Sequence, residues 1–234
     1  MSDVLTVREH LHELKKRLIK ISISAIIVFF ISFLISEKII IFLIRYFSLE
    51  LFSLAPLEFI RTQLVVSIYL TLAFIIPFLL VQIYLYSKPI MKIQTKQKAI
   101  IYFFNSLMLA ILGFIFGVFI FSKFSLDFFA ALPTEVSAFW GVYSTIIFII
   151  MSGFAFALTA QLIIIIPVLV KTGIVDVKTL KKSRAAVIVI ALFVSAIVTS
   201  PDPLTQVLMG VPMYLCFETG ILLSMLYKKQ DQKD

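Results

Sequence analysis

The stretch "REHLHELKKRL" (8–18) holds the first side chains whose types could do chemistry. His10 and His12 are the chain's two histidines. Two apart on a helix they point from different faces, so "HLHEL" lacks the i, i+4 pair with which a protease helix grips zinc. No apolar run carries a histidine that could activate a serine. The sequence therefore offers no metal centre, no cofactor site and no hydrolytic nucleophile, and an enzyme is not expected. Cys216, the single cysteine, lies in an apolar run and reads as a small buried hydrophobe that cannot form an intrachain disulfide. What remains are polar groups placed where lipid would penalise them: Gln161, Gln206 and Glu218. A carboxylate near mid-membrane is costly, so Glu218 must be neutral, paired or facing water. Gln161 suits a bond between helices, and the set could form a polar patch that recruits another helix or orders water.

The elements that carry these residues follow from composition. Of 234 residues, 61% are hydrophobic and 15% charged, including 24 Phe, too little polar surface for a soluble domain of this size. The net charge of +8 comes from 21 Lys and Arg gathered at the ends of apolar runs. They form no aromatic-interleaved basic face, which excludes nucleic-acid recognition and points to the lipid bilayer as partner. No cleavable leader is expected, because the first residues are charged and no small-residue cleavage site follows.

Six apolar segments are expected, at about 20–36, 64–86, 99–121, 142–170, 185–199 and 206–227, after an N-terminal tail at 1–19. Period-two alternation is absent, so the segments are helical and the chain reads as one all-α, multi-pass domain. Seventeen Lys and Arg fall on one side of the spans and four on the other. The positive-inside rule then puts both termini in the cytoplasm and supports an even number of spans. Trp140 and Tyr143 sit where interfacial aromatics belong. Gly113 and Gly117 in "GFIFG" share a helix face and favour packing within the chain, with self-association the second possibility.

The fifth and sixth spans read as short. About fifteen apolar residues separate Arg184 from "SPDPLTQ" (200–206), where Pro201, Asp202 and Pro203 form a turn that ends the helix. The fourth segment is long, with a kink expected at Pro167. A short pair beside a long helix implies local bilayer thinning.

"HLHELKKRL" closely resembles the H-L-x-E-L-R-x-R-L signature of the TatC family, the multi-spanning component of the twin-arginine protein translocase. Three further stretches match in order. "PFLLVQIYLYSKP" (77–89) is similar to the family's second-span ending at a proline, here Pro89. "TGIVDVKTLKKSR" (172–184) resembles its G-I-x-x-x-x-L-x-x-x-R loop, and "TSPDPLTQVLMGVPMYLCFETG" (199–220) its P-D…Q…P-M-Y-x-x-F-E-x-G ending. The resemblance implies a receptor that binds paired-arginine signal peptides at the cytoplasmic face, assembles with single-span TatA/TatB-type subunits, and exports folded proteins using the proton-motive force. It further implies that Glu13, flanked by His10, Lys15 and Arg17, receives the arginine pair, which suits a carboxylate that accepts two parallel guanidinium bonds. By the same resemblance Thr199 and Gln206 lie where the partner subunits dock, with Gln161 and Glu218 as polar groups within the membrane. Three positions depart from the family pattern. Thr95 stands where members commonly carry a loop Glu, Lys15 replaces an arginine, and Gln161 replaces an acid. A small secondary transporter with an intramembrane polar site is the rival reading; it predicts repeated, interrupted helices, and no such symmetry is visible between the halves.

Overall fold

A computed structural model describes residues 7–53, 55–86, 96–131, 140–199 and 203–230; the side chains of 7–14, 17, 81, 83–86, 96–100 and 227–230 are not part of that description. The described chain is all-helical apart from one two-residue strand pair. In order it runs α1 (Val7–Tyr46), β1 (Leu51–Phe52), α2 (Glu58–Tyr86), α3 (Lys96–Ile115), a π-helical segment (Phe116–Phe121), α4 (Ser122–Ala131), β2 (Trp140–Gly141), α5 (Val142–Ala160), α6 (Leu162–Lys171), α7 (Val177–Lys182), α8 (Arg184–Val198) and α9 (Pro203–Gln230).

Among the described residues, five stretches are helical, long and apolar enough to cross a bilayer: Leu18–Tyr46, Glu58–Leu80, Ile101–Ala131, Val142–Lys171 and Pro203–Leu226. The fifth expected segment, α8, has only 15 residues and covers about 22 Å. The sixth helix, by contrast, is not short. Expected at 206–227, α9 spans 28 residues because Pro203 opens it as a first-turn proline with no hydrogen-bond duty, and Pro212 does not stop it.

The first span also outruns its expected end at 36. Glu37 and Lys38 are exposed on a helix that continues to Tyr46, since Ser36, Ile40 and Leu43 form one buried stripe beneath them. At 40 residues α1 is about 60 Å long, twice the hydrocarbon thickness. The third expected span (99–121) continues through the π-helical segment to Ala131. In the fourth, the interruption falls at Gln161 between α5 and α6, whereas Pro167 sits inside α6.

The main core gathers Ile40 and Leu43 of α1, Val66 of α2, Val118, Leu126, and Val142, Ile146, Ile149 and Ile150 of α5. A second cluster joins Phe121 and Phe156 to Ala191, Met209 and Met213, fixing α8 and α9 on α5. A third holds α6 to α9 through Ile166, Phe217 and Ile221. Helix α3 and the π-helical segment that continues it cross α5 at backbone contact. A Cβ on Gly113 would lie 2.6 Å from the Phe156 carbonyl oxygen, and one on Gly117 2.5 Å from that of Ser152. The "GFIFG" face is thus filled within the chain.

Candidate functional site

Two polar constellations hold the membrane-facing helices, and a third closes one end. In the α8–α9 hairpin, Arg184 Nη2 donates to Glu218 Oε2 at 2.7 Å, and the Tyr214 hydroxyl donates to Oε1 at 2.6 Å. Tyr214 and Glu218 are one helical turn apart, so the hydroxyl reaches the carboxylate that also holds Arg184, the first residue of α8. Glu218 is thereby paired as a carboxylate. Toward the other end of the hairpin, Gln206 Nε2 donates to the Leu192 carbonyl at 2.8 Å. Thr199 is buried, with its hydroxyl bonded to Ser195 O at 2.9 Å. Both groups are engaged inside the hairpin. Gly210 lies against Leu192, which lets α8 and α9 approach closely. Outward, α8 is bare: Val189, Ile190, Phe193 and Ile197 are all more than half exposed, and its buried residues are Ala191 and Ser195. Leu204, Val207, Val211 and Leu215 extend this apolar surface along α9.

Gln161, 1% exposed, sits at the α5–α6 break. Ser106 Oγ donates to its Oε1 at 2.5 Å, and its Nε2 donates to Ser106 O at 3.1 Å and Ala157 O at 3.4 Å. All of its amide atoms are therefore used in tying α3 to α5.

At the opposite end from the N-terminus, Glu58 accepts from the backbone N–H of Tyr143 at 2.8 Å and of Ala55 at 3.3 Å. One carboxylate thus serves the turn leading into α2 and the first turn of α5, where helix dipoles favour negative charge. Arg61 stacks over the Tyr143 ring at 4.3 Å, and β1 pairs with β2 in parallel (Leu51 with Trp140, Phe52 with Gly141) beside it. The four elements close a cap over the core.

Of the residues expected at the cytoplasmic face, His10, Glu13 and Arg17 fall on the backbone of α1, but their side chains lie outside the described set; Lys15 and Lys16 are exposed. Pro89, Thr95, Pro201 and Asp202 lie outside the described residues. Pro203 is the first residue of α9.

Residues 9–212 match the family model described as Sec-independent protein translocase protein (TatC). The chain belongs to the TatC family. A TatC of Aquifex aeolicus is 32% identical over 98% of this chain and 100% of its own. TatCy of Bacillus subtilis is 26% identical over 98% and 92%. A crystal structure of a twin arginine translocase receptor, TatC in DDM, superposes with a TM-score of 0.82 at 29% identity, covering 92% of this chain and 99% of that one. This TatC is thus a membrane-embedded transport protein of the Sec-independent translocase and no enzyme.

Three features of this TatC escape a reading of its sequence. Arg184 is visible as a loop cation, but its pairing with Glu218 crosses 34 residues; the i, i+4 spacing of Tyr214 and Glu218 was the available signal. Glu58 carries no signal in the sequence of its role as a clasp for α5. Asn105, in "FFNSLM", is an exposed amide on α3 next to Ser106.

Proposed function

We propose that this TatC is the signal-peptide receptor and assembly platform of a twin-arginine translocase in the cytoplasmic membrane. In this reading the chain crosses six times, with α8 as a short fifth span and both termini in the cytoplasm. The carrying observation is the likeness, across nearly the whole chain, to a solved twin arginine translocase receptor. Because α1 exceeds the bilayer thickness, its first turns stand in the aqueous phase as a rigid extension of the span. Glu13 on those turns accepts the arginine pair bidentately, with Lys15, Arg17 and His10 around it, and no second acid at Thr95. The bare apolar face of α8 and α9 receives the single-span TatA/TatB-type partners. Gln206 and Thr199 support that face by holding the hairpin together, and the proton-motive force drives transport.

The test is binding of a labelled twin-arginine signal peptide to the purified protein, beside a twin-lysine version. The expected result is a preference of about tenfold or more for arginine, since two parallel guanidinium bonds give way to point charges. Glu13→Gln is expected to remove most of that preference. Equal binding of both peptides, or none, would overturn the reading.

A further inference from the structure

The geometry points to a binding site for an anionic glycerophospholipid in the groove between α3, α6 and α9. It is independent of the receptor assignment. The groove is a cavity of about 280 Å³ on the lipid-facing side, with Lys171, Tyr102 and Asn105 as its polar lining. Met108, Leu112 and Leu223 form its apolar part.

The order of these groups follows from the antiparallel crossing of α3 with the α5–α6 run. Gly117 meets Ser152, Gly113 meets Phe156, and Ser106 meets Gln161. Continued in the same sense, Lys171 lies toward the start of α3, beyond Tyr102. The groove therefore runs from an ammonium at its mouth, past the Asn105 amide, to the apolar side chains of Met108 and Leu112. That is the polarity profile of a phospholipid: phosphate, ester carbonyls, acyl chain.

One observation marks the middle level as unsatisfied. Asn105 is exposed on a membrane helix and has no hydrogen-bond partner among the described residues, a poor situation for an amide surrounded by hydrocarbon. Its neighbour Ser106 is used by Gln161, so the amide projects away from that bridge. An ester carbonyl would accept from Asn105 Nδ2. The headgroup selectivity comes from Lys171, since the lining contains one cation and no acid among the described residues. A zwitterionic headgroup would bring its own cation against that ammonium.

The experiment is native mass spectrometry of the purified full chain in neutral detergent. Phosphatidylglycerol and phosphatidylcholine of identical acyl chains are titrated in parallel. One retained phosphatidylglycerol is expected, with Lys171→Gln weakening it about fivefold and leaving phosphatidylcholine unchanged. Lys171→Arg is expected to keep the preference. Asn105→Leu is expected to weaken both lipids about fivefold, because both carry the ester carbonyls. Lys178→Gln, outside the groove, is expected to change nothing. Equal affinity for the two lipids would overturn the site, as would a Lys178→Gln loss matching that of Lys171→Gln. Displacement of the bound lipid by the isolated apolar segment of a signal peptide would assign the groove to peptide instead.

Discussion

Gln161 and Glu218 face the same penalty, polarity within an apolar bundle, and meet it by opposite means. Gln161 is neutral and uses both ends of its amide on α3 and α5. Gln161→Leu would leave the Ser106 hydroxyl and a backbone carbonyl facing hydrocarbon, so a stability loss of about 1–3 kcal/mol is expected in thermal unfolding of the purified protein. Gln161→Glu is expected to destabilise as well, because a carboxylate repels the two carbonyls that Nε2 now serves. An unchanged melting temperature in both variants would show that the bridge contributes nothing. Glu218 is charged and has an Arg184 side chain that is 45% exposed, so screening trims the pair. A double-mutant cycle on Arg184→Gln and Glu218→Gln is expected to give a coupling of about 1 kcal/mol. At this scale the sequence shows which groups need partners. It does not name the partners, because Ser106 lies 55 residues from Gln161 and Arg184 lies 34 from Glu218.

Element ends were legible where backbone chemistry sets them. Gly173 has φ of 74° and follows α6 in a Schellman arrangement: its N–H bonds Val170 O at 3.1 Å, and that of Ile174 bonds Leu169 O at 3.1 Å. The "TG-I" of the sequence is this cap. Ser48, with φ of 51°, takes the same role after α1 without a glycine, which is why that helix end was invisible. Ser48→Gly is accordingly expected to stabilise by about 0.5–1 kcal/mol, and Gly173→Ala to destabilise by about 1 kcal/mol, both read by thermal unfolding. The crossing of α3 and α5 is stricter. Gly117→Ala would press a methyl into a carbonyl oxygen and the Gly153 Cα, all backbone atoms that cannot step aside. A loss of about 1–3 kcal/mol is expected, larger than for Gly210→Ala, whose nearest neighbour is the movable end of Leu192. Equal losses at the two glycines would show that the crossing is looser than its distances imply. The ends of α1 and α4 were missed for one shared reason: hydropathy falls there while the buried stripe continues.

Across the whole molecule, the Arg184–Glu218 pair decides where the short helix leaves the bilayer exposed. From Pro203 to Glu218, α9 rises about 22 Å, matching the length of α8, so the two helices begin and end together at the Thr199 turn. Beyond Glu218, α9 continues for another 12 residues, about 18 Å, against α6. The missing length of α8 is therefore at its Arg184 end, recessed below the end of its neighbour. A charged pair at that depth needs water or headgroups drawn inward, which is local thinning placed on one side. Spin labels on α8 would read this directly in proteoliposomes. Ala186 and Ile197 are exposed near its two ends, and Phe193 is exposed between them. The expected pattern is high accessibility to a water-soluble relaxation agent at Ala186 and high accessibility to oxygen at Phe193. Water-soluble quenching at Ile197 with none at Ala186 would move the recess to the opposite face. Ala186 as dry as Phe193 would mean that the bilayer does not yield, and that the ion pair is held in hydrocarbon by its own geometry.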